Sequence, residues 1–128
     1  MKKTLVFGTS LKIHRYSNIA VNRLLDHNIK TEAFGLKAGK IKGTKIETNL
    51  DNFRNIDTIT LYIGAARQPD YYGDILKINP RRVIFNPGTE NPEFYRICHC
   101  NDLVFGILGQ ILLIEISGGG HGESVRCQ

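Results

Sequence analysis

The first twenty residues contain a polar segment of the kind that binds phosphate groups. The apolar run Leu5-Val6-Phe7 stops at Gly8, and a short loop with two basic residues leads to Ser17, where a helical pattern begins. Ser17 is the predicted N-cap of that helix. A helix N-terminus presents unpaired N–H groups and partial positive charge, so it stabilises an anion. The segment therefore predicts a site for a phosphorylated ligand.

Basic side chains are concentrated in the same half of the chain. Residues 1–64 carry 11 Lys+Arg and 5 Asp+Glu, a net charge of +6, whereas residues 65–128 carry 6 and 7, a net charge of −1. This asymmetry favours an anionic ligand, and a solvated basic face without a partner is the alternative. Arg15 is preferred over His14 as the phosphate ligand because a guanidinium stays charged and donates two N–H groups to one phosphate.

Other chemistry is less well supported by the sequence. Cys98-His99-Cys100, together with His121 and Cys127, could supply zinc ligands, but Cys-x-Cys differs from the usual spacing of structural zinc sites. A nucleophilic cysteine would need a base and an oxyanion partner, and neither is evident. Glu90 is the one carboxylate expected near the ligand, where it suits a helix N-terminus better than general-base catalysis. We therefore predict no metal site and no catalytic residue.

Alternating strands and helices must position these residues. The predicted strands are Thr4–Phe7, Lys30–Phe34, Thr58–Ile63 and Arg82–Phe85, and the predicted helices span about 17–28, 68–77 and 90–98. The Lys- and Gly-rich segment Leu36–Thr44 is predicted as a loop. This order indicates an α/β fold, a single Rossmann-like domain with a parallel sheet of about five strands and helices on both faces. Ligands of such sheets bind at the carboxyl ends of the strands.

Several motifs within this framework resemble one family. They are Gly8-Thr9-Ser10, Arg15-Tyr16-Ser17-Asn18, Leu61-Tyr62-Ile63, Gln68-x-x-Tyr71-Tyr72 and the run Phe85–Glu93. Over about residues 2–97 the chain resembles the small stand-alone CoA-binding proteins, which are similar to the CoA-binding domain of the succinyl-CoA synthetase α-subunit. The strict G-x-G-x-x-G fingerprint of dinucleotide-binding folds is absent.

The resemblance implies binding of coenzyme A or an acyl-CoA without catalysis. It also implies four groups of site residues. The loop that cradles the pyrophosphate corresponds to Gly8, Thr9, Ser10, Arg15, Ser17 and Asn18, and a basic residue that meets the nucleotide phosphates corresponds to Lys37. The residues beside the adenosine correspond to Ile63, Gly64, Ala65 and Arg67, and those near the pantetheine path to Asn86, Gly88 and Glu90.

Two other functions were weighed against CoA binding. An NAD-type dinucleotide-binding domain, for redox sensing or as part of an oxidoreductase, usually carries an acidic residue after the second strand, where this chain has Gly35-Leu36-Lys37. A nucleic-acid-binding function would use the basic half, but no recognisable motif accompanies the charge. The expected partner is thus a small nucleotide ligand, with no membrane involved. The sequence does not decide whether the protein forms a homodimer or binds a protein partner. It also does not decide whether the ligand is free CoA or an acyl-CoA.

The sequence departs from the family pattern after about Ile97. We interpret residues 1–128 as one CoA-binding Rossmann-like domain, in which residues 98–128 form either a divergent fifth strand and tail or the product of a reading-frame change. The apolar run at the N-terminus is too short for the core of a signal peptide. The three cysteines form no framework of pairs, which argues against disulfides and is typical of a reducing compartment. The predicted location is therefore the cytoplasm.

Overall fold

The computed structural model describes residues 2–107, which form a seven-stranded sheet and three α-helices. The strands are β1 (Lys3–Phe7), β2 (Lys30–Phe34), β3 (Gly39–Ile41), β4 (Thr44–Glu47), β5 (Ile56–Leu61), β6 (Arg82–Phe85) and β7 (Val104–Ile107). The α-helices are α1 (Tyr16–Asp26), α2 (Tyr72–Ile78) and α3 (Pro92–Cys100). Two 3₁₀-helical segments, Leu50–Asn52 and Ala65–Tyr71, precede β5 and α2.

The strand order places β1 at the centre of a mostly parallel sheet. The order is β3-β4-β2-β1-β5-β6-β7, and every neighbouring pair is parallel except β3 and β4. The chain leaves β1 towards β2 on one side and later returns to β5 on the other. The connections after β1 and β5 therefore diverge, which is the arrangement that opens a ligand crevice in such sheets.

The sheet has two strands more than predicted, because a hairpin, β3 and β4, begins inside the segment Leu36–Thr44 that was predicted as a loop and continues to Glu47. β3 pairs antiparallel with β4, and Lys42 and Gly43 make a two-residue turn in which both have positive φ, 49° and 84°. Such turns match the twist of the strands they join. Ile41 and Ile46 are the buried apolar residues of the hairpin. Since lysines and glycines fill most other positions, the apolar–polar alternation is too sparse to indicate a strand.

Several element boundaries also differ from the sequence prediction. β5 begins and ends two residues earlier than predicted, and the predicted helix after it begins as the 3₁₀ segment Ala65–Tyr71, which contains Pro69. Helix α1 begins at Tyr16, with Arg15 at the N-cap position and no side-chain cap. The prediction of Ser17 as N-cap is therefore wrong, because the Ser17 hydroxyl accepts a hydrogen bond from the preceding loop instead.

Alternate residues of β1 belong to two separate hydrophobic clusters. Leu5 and Phe7 pack in the cluster that contains Ile75 of α2 and Phe94 of α3. Val6 packs with Val21 of α1, as the alternation of side chains along a strand requires. Because the buried residues of all three helices share these clusters with the central strand, the backbone at its carboxyl end is held in place from several sides.

The last described strand bears on the C-terminal expectation. β7 pairs parallel with β6 and so provides a strand in the region where the divergent fifth strand was expected. The alternative of a reading-frame change concerns residues that mostly lie outside the described part of the chain. Cys98 is buried with a free thiol.

No metal-binding group and no membrane-spanning helix occur in residues 2–107. No three His, Cys, Asp or Glu side chains within this range group closely enough to hold a metal ion. His121 and Cys127, which belonged to the alternative zinc set, lie outside the described residues. None of the helices within 2–107 combines the length and the apolar character needed to cross a membrane.

Candidate functional site

The carboxyl ends of β1, β2, β5 and β6 open into one cleft of about 630 Å³. Its walls are formed by the loops that follow these strands and by the start of α1. The lining residues are Gly8, Thr9, Ser10, Leu11, Lys12, Arg15, Tyr16, Ser17, Phe34, Gly35, Leu36, Lys37, Tyr62, Ile63, Gly64, Arg67, Pro87, Gly88 and Thr89. The cleft thus lies where the strand order predicts a ligand crevice.

The turn after β1 is fastened to the end of β2. The backbone N–H groups of Gly8 and Thr9 both donate to the carbonyl of Phe34, at 2.9 and 2.7 Å. The Thr9 hydroxyl donates to the carbonyl of Val6 at 2.9 Å. A Cβ atom on Gly35 would collide with the Thr9 carbonyl oxygen, so the two turns can approach this closely only with glycine at that position.

The turn after β1 also passes close to the end of β5. Gly8 has a φ of +102°, a conformation that side chains rarely adopt. A Cβ atom there would lie 2.9 Å from Cγ1 of Ile63 and 3.2 Å from the carbonyl carbon of Tyr62. Glycine at this position therefore lets the first loop contact both neighbouring strands, which fixes the floor of the cleft.

The rest of the first loop is held by hydrogen bonds to helix α1. The backbone N–H of Ser10 donates to the Ser17 hydroxyl at 3.0 Å, and the side-chain amide of Asn18 donates to the Ser10 carbonyl at 2.9 Å. The backbone N–H of Lys12 donates to the Ser10 hydroxyl at 3.0 Å, and that of Arg15 to the Lys12 carbonyl at 3.0 Å. These backbone donors already have partners, so they are poorly placed to cradle a phosphate.

The donors that face an incoming anion belong to the helix and to side chains. The first N–H groups of any α-helix lack intrahelical acceptors, and Arg15 at the N-cap of α1 supplies no side-chain acceptor for them. The first turn of α1 therefore presents N–H groups and the positive end of the helix dipole to the cleft. Tyr16 and Ser17 of this turn both line it.

Every charged side chain that lines the cleft is basic. The four are Lys12, Arg15, Lys37 and Arg67. All four are exposed, so a ligand can reach them without displacing the fold. Among residues 2–107, no carboxylate lines the cleft. Like charges in a concave site reinforce one another, so the cleft is built to attract an anion with more than one charged group.

Ten of the fourteen predicted site residues line this cleft. They are Gly8, Thr9, Ser10, Arg15, Ser17, Lys37, Ile63, Gly64, Arg67 and Gly88. The loops after four strands, β1, β2, β5 and β6, thus converge as the sequence predicted.

The other four, Asn18, Ala65, Asn86 and Glu90, are not among the lining residues. Asn18 holds the Ser10 carbonyl, and buried Asn86 donates to the Thr60 hydroxyl at 2.8 Å and to the Leu61 carbonyl at 2.9 Å. A carboxylate oxygen of Glu90 accepts from the backbone N–H of Gly88 at 2.9 Å. Ala65 begins the 3₁₀ segment. At least three of these residues therefore shape the backbone of the cleft.

Sequence reasoning missed nine lining residues: Leu11, Lys12, Tyr16, Phe34, Gly35, Leu36, Tyr62, Pro87 and Thr89. Lys12 was visible as the second basic residue of the first loop, and its charge was the available signal. Leu11, Tyr16 and Leu36 are 43%, 77% and 66% exposed, which is unusual for large apolar side chains and follows from their position at the rim. A sequence pattern does not distinguish such residues from core residues.

Burial affects the ionisation of Tyr62, which lines the cleft, and of Cys98, which lies in the hydrophobic core. Burial raises the pKa of Tyr62, so this cleft residue is a neutral phenol at physiological pH. Burial also raises the pKa of the Cys98 thiol to about 12, which keeps the sulfur protonated and inert. Neither of these two groups therefore carries a negative charge at physiological pH.

Comparison with known proteins identifies a family for this chain. The family described as CoA binding domain matches residues 2–107, ten residues beyond the resemblance found in the sequence. A comparison with curated proteins finds no match.

Solved structures share the fold. A crystal structure of an uncharacterized protein is 39% identical, with a TM-score of 0.80, and the match covers 84% of this chain and 88% of the other. A hypothetical protein from Pyrococcus horikoshii OT3 is 23% identical with a TM-score of 0.74, covering 81% and 74%. A conserved hypothetical protein from Pyrococcus furiosus is 18% identical with a TM-score of 0.76, covering 87% and 97%. With a family match over residues 2–107 and a close structural relative, the chain belongs to the CoA-binding domain family.

Proposed function

We propose that this protein binds coenzyme A or an acyl-CoA in the cleft at the carboxyl ends of the strands, and that it does so without catalysing a reaction. The observation that carries the proposal is the charge of the cleft, which four basic side chains and no acidic side chain line. The cleft lies at the N-terminus of α1 in a member of the CoA-binding domain family. CoA carries a pyrophosphate and a 3′-phosphate, so its charge matches several cations in one cleft.

The ligand would run from the first loop to the loop after β6. Its pyrophosphate would meet the first turn of α1 and Arg15, and Lys37 would meet a further phosphate from the opposite wall. The adenosine would lie beside Ile63 and Gly64, and the pantetheine arm would pass Gly88. All five residues line one cleft. In this arrangement side chains and the helix N-terminus replace the loop N–H groups that the sequence suggested as the phosphate cradle.

The fold in this proposal is Rossmann-like, with helices on both faces of the sheet. Val6 of the central strand shares a cluster with α1, whereas its neighbours Leu5 and Phe7 share one with α2 and α3. Side chains of successive strand residues point to opposite faces, which supports the arrangement. We place the protein in the cytoplasm, where CoA is available to it.

An NAD-type domain is the second candidate, because the strand order suits any dinucleotide. Ribose recognition in such domains uses a carboxylate after the second strand, and here the loop after β2 brings Lys37 to the cleft instead. A thermal-shift series decides between the two. CoA should raise the unfolding midpoint most, dephospho-CoA less and NAD least at equal concentration, because selective binding to the native state stabilises it. A larger shift with NAD than with CoA would reverse the assignment.

The absence of catalysis is tested separately from binding. A thioester hydrolase needs a nucleophile or activated water, a proton shuttle and oxyanion donors. The free thiol of Cys98 is buried and protonated, and Glu90 already accepts from the Gly88 backbone. Acetyl-CoA or succinyl-CoA incubated with the protein should therefore release no free thiol above background. Release that disappears in Glu90→Gln or Cys98→Ser would identify an enzyme.

A further inference from the structure

Gln68 lies buried between two walls of the cleft and contacts both of them. Its side chain is 1% exposed. Its amide nitrogen donates to the Ile63 carbonyl at 2.8 Å and to the Thr89 carbonyl at 2.8 Å. Ile63 follows β5, Thr89 follows β6, and both line the cleft. One side-chain amide therefore joins the loop after β5 to the loop after β6.

The polarity of this amide is fixed by a chain of hydrogen bonds. The Gln68 side-chain oxygen accepts from the Asn91 side-chain amide at 2.8 Å, and that amide also donates to the Tyr72 hydroxyl at 2.9 Å. The Tyr72 hydroxyl donates to a Glu93 carboxylate oxygen at 3.0 Å. A rotated Gln68 amide would bring its oxygen against two carbonyl oxygens, so one orientation alone satisfies every partner.

The same series of hydrogen bonds connects helix α3 to the Gln68 clamp, by which we mean the two hydrogen bonds from the Gln68 side-chain amide to the carbonyls of Ile63 and Thr89. The Asn91 side-chain oxygen caps this helix by accepting from the backbone N–H groups of Glu93 and Phe94, at 3.1 and 3.3 Å. The Asn91 side chain therefore has a fixed position, and through it so does Gln68. A rigid helix end thus determines where the loops after β5 and β6 lie.

From this geometry we propose that Gln68 is a positioning residue that sets the separation of the β5 and β6 walls for a ligand that spans them. The inference rests on the proposed function for the identity of the ligand. In that function the adenosine contacts the β5 loop and the pantetheine arm contacts the β6 loop. Gln68 touches neither part of the ligand, and it acts by holding the carbonyls of Ile63 and Thr89 at one distance. A ligand that meets only one wall needs no such spacing.

The test uses Gln68→Met, which keeps the volume but removes both donors, and two probes. CoA spans both walls, whereas adenosine 3′,5′-bisphosphate is the half of CoA that reaches only the β5 side. Calorimetric titration should show that the variant loses about tenfold or more in CoA affinity, as expected for two hydrogen bonds lost from a buried clamp. Its affinity for the bisphosphate should stay close to that of the wild type. A loss that is equal for both probes, or no loss, would overturn the proposal.

The control separates positioning from general destabilisation. Ile75→Val shortens a buried side chain of α2 that does not line the cleft, and it should lower the unfolding midpoint without changing the CoA-to-bisphosphate affinity ratio. Hydrogen exchange of the ligand-free protein gives a second readout. The Arg67 and Thr89 amides, which donate to the Gly64 and Asn86 carbonyls, should exchange faster in Gln68→Met than in Ile75→Val. Equal exchange in the two variants would contradict the clamp.

Two outcomes keep the inference distinct from the proposed function. If wild-type protein binds neither probe, the proposed function fails. The hydrogen exchange rates of the Arg67 and Thr89 amides still test whether Gln68 holds the two loops together. If Gln68→Met does not fold, hydrogen exchange of the Gln68 side-chain amide in the wild-type protein tests the clamp instead. Both of its protons should be protected from exchange, and CoA should shift both resonances. Protection no greater than that of an exposed glutamine would overturn the clamp.

Discussion

Arg15 has two separate roles at one position. Its backbone begins α1 as the N-cap residue, and its exposed side chain lines the cleft without capping the helix. We expect Arg15→Ala to weaken CoA binding by about 1.5–3 kcal/mol, the range for a hydrogen bond to a charged group. The unfolding midpoint without ligand should stay nearly unchanged. Calorimetric titration measures the first effect and thermal unfolding the second.

Arg96→Ala is the matched control, because Arg96 is exposed on α3 and does not line the cleft. It removes the same charge from the protein and should leave CoA affinity almost unaffected. Equal losses in the two variants would mean that net charge, and not a contact of Arg15, determines affinity. Unchanged affinity in Arg15→Ala would remove this residue from the site.

Asp57 makes the free energy of unfolding depend on pH at the opposite end of the sheet. The Arg81 guanidinium donates to its carboxylate at 2.9 Å, and this hydrogen bond is the main reason that the pKa of Asp57 is lowered. A lowered folded-state pKa stabilises the protein above the unfolded-state pKa, and the stabilisation is lost as the pH falls through the folded-state value. Since Arg81 is half exposed, solvent screening limits the gain to about 1 kcal/mol or less.

The substitution Asp57→Asn tests this dependence. It should lower the unfolding midpoint at pH 7 and have a smaller effect once the pH has fallen below the lowered folded-state pKa, where the wild-type carboxylate is also protonated. Thermal unfolding of both proteins between pH 2 and 7 measures the difference. A difference that grows towards low pH would contradict the sign of the pKa change.

Residue types alone indicated the charges of the site better than the roles of its amides. Arg15, Lys37 and Arg67 were predicted from the sequence and its resemblance, and all three line the cleft. Asn18 and Asn86 were predicted there too, but their side chains donate to backbone carbonyls. A long basic side chain beside a cleft can reach into it, whereas the short side chain of asparagine donates its amide hydrogen bonds to whichever carbonyl is nearest. That carbonyl is defined only by the folded turn.

The elements around the cleft depend on one close contact between two turns. In Gly35→Ala the new methyl group would meet the Thr9 carbonyl oxygen, with Cγ2 of Ile46 at 3.0 Å. The turns after β1 and β2 must then separate, at a cost of about 1–3 kcal/mol for overpacking a rigid site. We expect a lower unfolding midpoint and weaker CoA binding, measured by thermal unfolding and calorimetry.

Gly73→Ala is the control for Gly35→Ala. Gly73 lies in α2, and a Cβ atom there would meet nothing within 4 Å. Alanine should stabilise the helix by about 0.5–1 kcal/mol and leave the cleft unchanged. If both substitutions destabilise the protein equally, backbone freedom and not the Thr9 contact accounts for the effect at Gly35.

The density of apolar side chains explains why β6 was predicted and the β3–β4 hairpin was not. β6 spans Arg82–Phe85 as predicted, because Val83 and Phe85 are both fully buried between polar turns. The β3–β4 hairpin was missed, since Ile41 and Ile46 are its buried apolar residues. At such low density, pairing with β2 stabilises the strands more than any local pattern does, and the sequence pattern does not show that pairing.

At the scale of the whole molecule, the basic half of the chain and the cleft coincide. Three of the four basic residues that line the cleft belong to residues 1–64, the half with a net charge of +6. CoA affinity should therefore fall as ionic strength rises, because the Debye length shrinks from about 10 Å at 0.1 M salt to about 3 Å at 1 M. Calorimetric titration in increasing KCl measures this dependence. Salt-independent affinity would show that apolar contacts dominate binding.

The fold class and the position of the cleft were predictable from alternation alone. Parallel strands joined by helices place their carboxyl ends at one edge, so the turns after the predicted strands had to converge there. The number of strands was not predictable, because the hairpin adds to the sheet without a helix of its own. The cleft itself owes its walls to hydrogen bonds that join distant segments, such as those of Gly8 and Thr9 to Phe34.

These internal bonds of the first loop have a consequence for the thermodynamics of binding. In this loop the backbone donors of Gly8, Thr9, Ser10, Lys12 and Arg15 already have partners. A loop held by such bonds is preorganised, so it loses less conformational entropy when the ligand arrives. Association should then resemble the docking of two rigid bodies, with a heat-capacity change that reflects only the apolar surface covered by the ligand. The same bonds limit plasticity, so larger or differently shaped nucleotides would be rejected because the loop from Gly8 to Arg15 is not free to move aside for them.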